Sequence, residues 1–78
     1  MSKLRELVFV GLDSCKANGY DTMLAGPSAD IAGDLIAYDD DVCHEAMKEA
    51  GIENFDKDAD LVIEVLVPII DDWKVHVK

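Results

Sequence analysis

The feature that most constrains the fold is the apolar run Leu61–Trp73, the longest in the sequence, which contains the only tryptophan. Read as a helix, it places seven apolar side chains on one wide stripe. The stripe consists of Leu61, Val62, Val65, Leu66, Ile69, Ile70 and Trp73. Ile63 and Val67 lie outside it, so this helix is expected to be covered on more than one side, by neighbouring helices or by a second copy of the chain.

Pro68 interrupts this run, because a proline inside a helix removes one backbone hydrogen bond and clashes with the preceding turn. The sequence therefore predicts either a kink at Pro68 or a new helix with Pro68 in its first turn. Two strands are the alternative, since 61–67 is rich in β-branched residues and 73–78 alternates apolar with polar residues. They would give an α+β fold with a C-terminal hairpin. The stripe spacing continues across Pro68 to Trp73, which favours the helix.

The first helix is predicted from a cap at Ser2 to a stop near Asn18. Gly19 supplies the left-handed residue of that stop, and Tyr20 supplies the apolar contact that closes it. The residues at helical spacing are Leu4, Leu7, Val8, Leu12 and Cys15. The segment 21–27, which ends in a Gly-Pro pair, is predicted to be a loop that tucks Met23 and Leu24 onto the core.

Two further helices are predicted before the apolar run. Ser28 is expected to cap the second, with Ile31, Leu35, Ile36 and Tyr38 pointing inward. Asp39–Asp41 then starts a third, with Glu45 and Glu49 outward and a stop at Gly51-Ile52. Its inward residues are Val42, Cys43, Ala46, Met47 and Ala50. With Asp58 or Asp60 capping the last helix, residues 1–78 form a single all-α bundle of about four helices.

Charge is the outlying property of the 78 residues, with seventeen acids, seven bases and a formal net charge of −10. Between Asp30 and Asp72 there are fourteen acids and two bases, a balance of −12. This disfavours direct binding of nucleic acid or an anionic membrane and favours basic partners. No run is long enough to span a bilayer, and the start lacks a signal-peptide pattern, so a cytoplasmic protein is expected.

Motifs for catalysis and metal binding are weak. Asp56, Asp58 and Asp60 match the opening of a calcium loop, but Leu61 and Val67 replace its glycine and its bidentate glutamate. Cys15 and Cys43 fit no metal-ligand spacing and are expected to be reduced, although the spacing leaves a disulfide open. Cys43 and His44 are adjacent and would point about 100° apart on a helix. We therefore expect no metal, no cofactor and no enzymatic activity.

Gly11-Leu12-Asp13-Ser14 resembles the motif around the phosphopantetheine-bearing serine of acyl carrier proteins. The resemblance covers these few residues, together with chain size, acidity and helical content. It implies a carrier protein modified on Ser14. In that family the serine opens the second helix and is followed by leucine, whereas Ser14 falls inside the predicted first helix and is followed by Cys15.

The acidic residues of the middle of the chain are the strongest candidates for a functional site. They are Asp30, Asp34, Asp39, Asp40, Asp41, Glu45 and Glu49. Carboxylates four residues apart on a helix are separated by about 6 Å along its axis, a scale similar to the phosphate spacing of nucleic acids. The sequence thus predicts a non-enzymatic interaction protein that binds a basic surface of another protein. If that partner is a nucleic-acid-binding protein, the acidic surface would act as a nucleic-acid mimic. In size and charge it resembles phage and mobile-element inhibitors, including anti-CRISPR proteins.

Two alternatives stay open at this point. In the first, the acidic residues only keep the protein soluble. In the other, the chain is an assembly module that homodimerises or pairs with a partner helix through 61–73, and Ile63, Val67 and Trp73 carry the contact.

Overall fold

The structure, a computed structural model, describes residues 2–77 and contains five helices and no strand within that range. They are α1 (Lys3–Ala17), α2 (Asp21–Leu24), α3 (Ser28–Tyr38), α4 (Asp40–Ala50) and α5 (Phe55–His76). The predicted all-α fold is confirmed, with four long helices and one short one. The alternative of strands at 61–67 and 73–77 is wrong, because helical spacing buries one face of this segment continuously.

Helix α5 is the centre of the packing and contacts α1, α3 and α4. Its fully buried face has the spacing of a helical stripe and consists of Val62, Leu66, Ile70 and Trp73. Leu61, which the sequence placed on the same stripe, is 42% exposed. The other helices complete the core with Leu4, Val8, Leu12, Ile31, Ala32, Leu35, Ile36, Val42 and Ala46. The long apolar run is therefore the element against which the other three long helices fold.

Pro68 does not start a new helix, because α5 continues through it. Residues on both sides of Pro68 keep helical dihedrals, and the non-helical residue inside α5 is Asp58, with φ −122° and ψ 30°. Pro68 is exposed, so its ring faces solvent. The helix begins at Phe55, earlier than the predicted caps Asp58 and Asp60, and breaks after its first turn.

Both glycine stops are confirmed. Gly19 has φ 83°, and the Tyr20 N–H donates to the carbonyl oxygen of Cys15 at 3.0 Å, which closes the end of α1. Gly51 has φ 72°, and the Ile52 N–H closes α4 in the same way at 3.1 Å. Both positions require a left-handed backbone that glycine adopts without strain.

Three local predictions are wrong. The expected loop 21–27 contains the one-turn helix α2. Ser28 does not cap α3, because its hydroxyl donates to the Asp71 carboxylate of α5 and Pro27 precedes the first helical residue. Tyr38 is 86% exposed and does not point inward. At 100° per residue its side chain lies about 90° from the centre of the face that α3 buries.

None of the helices within residues 2–77 has both the length and the apolar character needed to cross a bilayer.

Candidate partner-binding surface

The seven predicted partner-binding acids fall into two groups in the structure. Asp39 and Glu45 are half-buried and interact with other groups of the chain. The other five are exposed on α3 and α4: Asp30, Asp34, Asp40, Asp41 and Glu49. The candidate surface is thus smaller than the sequence suggested.

Asp39 is the N-cap of α4. One of its carboxylate oxygens accepts the backbone N–H of Asp41 at 3.1 Å and that of Val42 at 3.2 Å. Its other oxygen faces α1, where a methyl group added at Gly11 would lie 3.5 Å away. This carboxylate satisfies helix donors that would otherwise have no partner, so its first role is structural.

Glu45 was predicted to point outward, and this is wrong. Its side chain is only 14% exposed, and its Oε1 lies 3.6 Å from the Nζ atoms of both Lys3 and Lys48. The two ammonium groups compensate its charge within the fold. Little of the Glu45 carboxylate is accessible to a partner.

We define the acidic patch as Asp30 and Asp34 of α3 together with Asp40 and Asp41 of α4. One residue separates the two helices; Asp40 and Asp41 follow this junction directly, Asp34 lies one turn before it, and Asp30 lies in the first turn of α3, about 12 Å along the axis from Tyr38. Among residues 2–77, none of its carboxylates forms an ion pair or a side-chain hydrogen bond. Glu49, also exposed, lies about 12 Å further along α4 than Asp41 and serves here as an acid outside the patch.

Four of the six Lys and Arg side chains among residues 2–77 interact with groups outside the patch. Lys3 and Lys48 lie beside Glu45, and an Arg5 guanidinium nitrogen lies 2.9 Å from the Asp72 carboxylate. The Lys74 ammonium donates to the carbonyl oxygen of Gly26 at 3.0 Å. The acidic patch has a formal charge of −4, and none of these side chains pairs with it.

A groove adjoins the patch between the C-terminal end of α1, α2 and α3. We call it the tyrosine groove; its volume is about 460 Å³, and it is lined by Cys15, Tyr20, Met23, Asp34, Leu35 and Tyr38. Asp34 is the one acidic residue of the lining, which contains no Lys or Arg. Sequence reasoning did not identify Tyr20, Met23 and Tyr38 as site residues. The available signal was that Tyr38 lies one helical turn after Asp34, in the row that begins at Asp30.

The Asp13-Ser14 motif has a structural explanation. The Asp13 carboxylate accepts the indole N–H of Trp73 at 2.8 Å, so it provides a partner for the polar atom of a core side chain. Ser14 is exposed within α1, and its carbonyl oxygen accepts the side-chain amide of Asn18. Ser14 thus lies inside the first helix, whereas the serine of carrier proteins opens the second.

The cysteines are both free, so the disulfide that the spacing left open is not formed. Burial raises the pKa of the Cys43 thiol above its ordinary value, and the nearby Asp40 charge raises it further. A thiol with a raised pKa is largely neutral at pH 7 and is a poor nucleophile. In the part of the chain that the structure describes, no three His, Cys, Asp or Glu side chains are grouped as metal ligands.

The outer face of α5 offers a second surface. Trp73, expected to carry helix pairing, is 2% exposed and belongs to the core. Leu61 and Val75 are exposed on one face of α5, but the charged Glu64 and the helix-disfavouring Pro68 lie between them on that face. Homodimerisation through α5 stays a prediction, and it would have to use Ile63 and Val67, which are half-buried.

No family model, curated protein sequence or solved structure is significantly similar to this chain. Its function has to be argued from the acidic patch and the tyrosine groove.

Proposed function

We propose that this protein is a non-enzymatic interaction module that binds a basic surface of another protein through the acidic patch. The supporting observation is that four exposed carboxylates lie on the consecutive helices α3 and α4, and that none of them forms an ion pair with a Lys or Arg among residues 2–77. Two acids of the same segment, Asp39 and Glu45, do have partners within the chain. The contrast separates acids that stabilise the fold from acids that remain available.

The patch has a small energetic disadvantage in the free protein. Like charges one helical turn apart, such as Asp30 and Asp34, disfavour the helix by a few tenths of a kcal/mol per pair. A basic partner removes this repulsion and gains the attraction of an uncompensated negative field, which also accelerates encounter. A basic groove that normally holds phosphates is one such partner, and that target makes the protein a nucleic-acid mimic. Inhibitors of phage origin, including the anti-CRISPR type, are the corresponding biological class.

Affinity capture from the lysate of the native host, with variants matched in net charge, tests the proposal. The patch variant carries Asp30→Asn, Asp34→Asn, Asp40→Asn and Asp41→Asn. The control carries Glu53→Gln, Asp56→Asn, Asp60→Asn and Glu64→Gln, four exposed acids outside the patch. Because both variants lose the same number of charges, long-range attraction changes equally and only the location differs.

The expected result is a basic protein captured by the wild type and the control, and released by salt or by competing DNA or RNA. The patch variant should retain it at least about tenfold less. Equal capture by both variants would show that binding depends on the total negative charge and not on the patch. If no salt-sensitive partner is captured, the acids only keep the protein soluble. A partner that resists high salt would move the interaction to apolar surface such as that of α5.

A further inference from the structure

We propose that the tyrosine groove receives an arginine side chain of the basic partner, with Asp34 as its counter-ion. This inference rests on the proposed function and names the chemistry at one point of the contact. It concerns Tyr20, Asp34 and Tyr38, which the charge argument alone does not distinguish.

The groove is built by two rigid local structures. The stop at the end of α1 fixes the backbone of Tyr20 beside Cys15 through the bond from the Tyr20 N–H to the Cys15 carbonyl oxygen, and both residues line the groove. The opposite wall is α3, which places Asp34 and Tyr38 one turn apart. Leu35 is buried and lies at the floor between these walls. Because both walls belong to helices or to a helix end, the backbone of the groove is already in place before a partner binds.

Much of the surface of the two aromatic rings remains accessible to a partner. Tyr38 is 86% and Tyr20 59% exposed, so neither ring contributes much buried area to the core. Tyrosine is enriched among residues that dominate binding energy at interfaces, since it presents large area with little side-chain entropy. Both rings border the same groove.

Asp34 differs from the other patch acids in its position along its helix. Asp40 and Asp41 lie in the first turn of α4 and Asp30 in that of α3, where the helix dipole favours a negative charge. Asp34 lies in the C-terminal half of α3 and gains nothing from the dipole. No cation lines the groove with it. The helix dipole therefore offsets part of the repulsion among the other three acids, and Asp34 lacks that compensation.

An arginine matches all of these features together. Its planar guanidinium stacks on aromatic rings and donates two parallel hydrogen bonds to one carboxylate. Its aliphatic stem lies favourably on apolar groups such as Met23 and Leu35. An uncharged apolar side chain would fill the groove without using Asp34. Lysine would use Asp34 but cannot make the planar contact with the rings.

The test uses short peptides and ¹⁵N-labelled full-length protein, with amide chemical shifts followed by NMR. The probes are acetyl-Gly-Xaa-Gly-amide peptides with arginine, citrulline, lysine or leucine at Xaa. Citrulline keeps the shape of arginine and removes its charge. The arginine peptide should cause saturable shifts at Tyr20, Met23 and Tyr38 with a dissociation constant on the order of millimolar, as expected for one side chain.

Variants assign the roles. Asp34→Asn should weaken the arginine peptide about tenfold, because a charge-assisted bond is lost. Tyr38→Leu should weaken it severalfold, and Glu49→Gln should leave it unchanged. All three positions are exposed, so folding should be intact, which circular dichroism checks. Equal binding of the leucine or citrulline peptide, equal binding of lysine, or shifts spread evenly over all exposed acids would each overturn the inference.

The outcomes of this test and of the capture experiment are distinguishable. Loss of capture by the patch variant without arginine-peptide binding would remove the groove assignment and retain the acidic surface. Peptide binding in the groove without a salt-sensitive partner would remove the proposed function instead.

Discussion

Replacing Asp39 by alanine should destabilise the fold, although Asp39 belongs to the same acidic stretch as the patch. The substitution removes the acceptor of two backbone N–H groups at the start of α4. Loss of such a cap typically costs about 1 kcal/mol, within a range of about 0.5–2 kcal/mol. Removing the Asp39 charge also relieves its repulsion with Asp40 and Asp41, which offsets a few tenths of a kcal/mol of this loss. We expect a net loss of about 1 kcal/mol, which lowers Tm by about 4–8 °C in a domain of this size.

Urea denaturation, followed by the fluorescence of the buried Trp73 and by circular dichroism, measures this loss. Asp39→Asn keeps an acceptor oxygen and should lose less than half as much, since asparagine is also a good cap. Asp34→Asn is the matched control, because its carboxylate has no partner among the described residues, and it should stay within about 0.5 kcal/mol of wild type. If Asp39→Ala were neutral, or if Asp34→Asn cost as much, the division between structural and available acids would be refuted.

Two further predictions concern α5. Asp13→Ala removes the acceptor of the Trp73 indole N–H and should lower the free energy of unfolding by about 1–2 kcal/mol in the same denaturation experiment. Asp13→Asn keeps an acceptor oxygen and should lose less. Equal stability of the wild type and both variants would contradict a stabilising role of this hydrogen bond. Pro68→Ala should stabilise the protein by about 2 kcal/mol, because proline is about 3 kcal/mol less favourable than alanine inside a helix and its stiffness in the unfolded chain offsets part of that difference. A loss of stability in Pro68→Ala would show that the proline makes a favourable contact.

Much of the fold follows from local rules. The apolar spacing of Leu61–Trp73 survives a proline and identifies the central helix, and the two glycine stops are set by backbone conformations within a few residues. Periodicity also identifies most of the core, since burial of one face is what stabilises a helix. The concentration of negative charge is likewise a property of the sequence alone, and the proposal of a basic partner starts from it.

What the sequence could not supply is which polar groups find partners across the fold. The capping role of Asp39 is local and agrees with the predicted start of α4 at Asp39–Asp41. Glu45 looks like the patch acids in sequence, but the packing of α1 on α4 brings Lys3 beside it. Tyr38 follows the apolar pattern of α3, yet its exposure depends on which face the neighbouring helices cover. Helical spacing fixes the angle between side chains around one helix, but it does not determine which side of that helix faces the core. The tyrosine groove depends on that direction, so only the tertiary structure decides it.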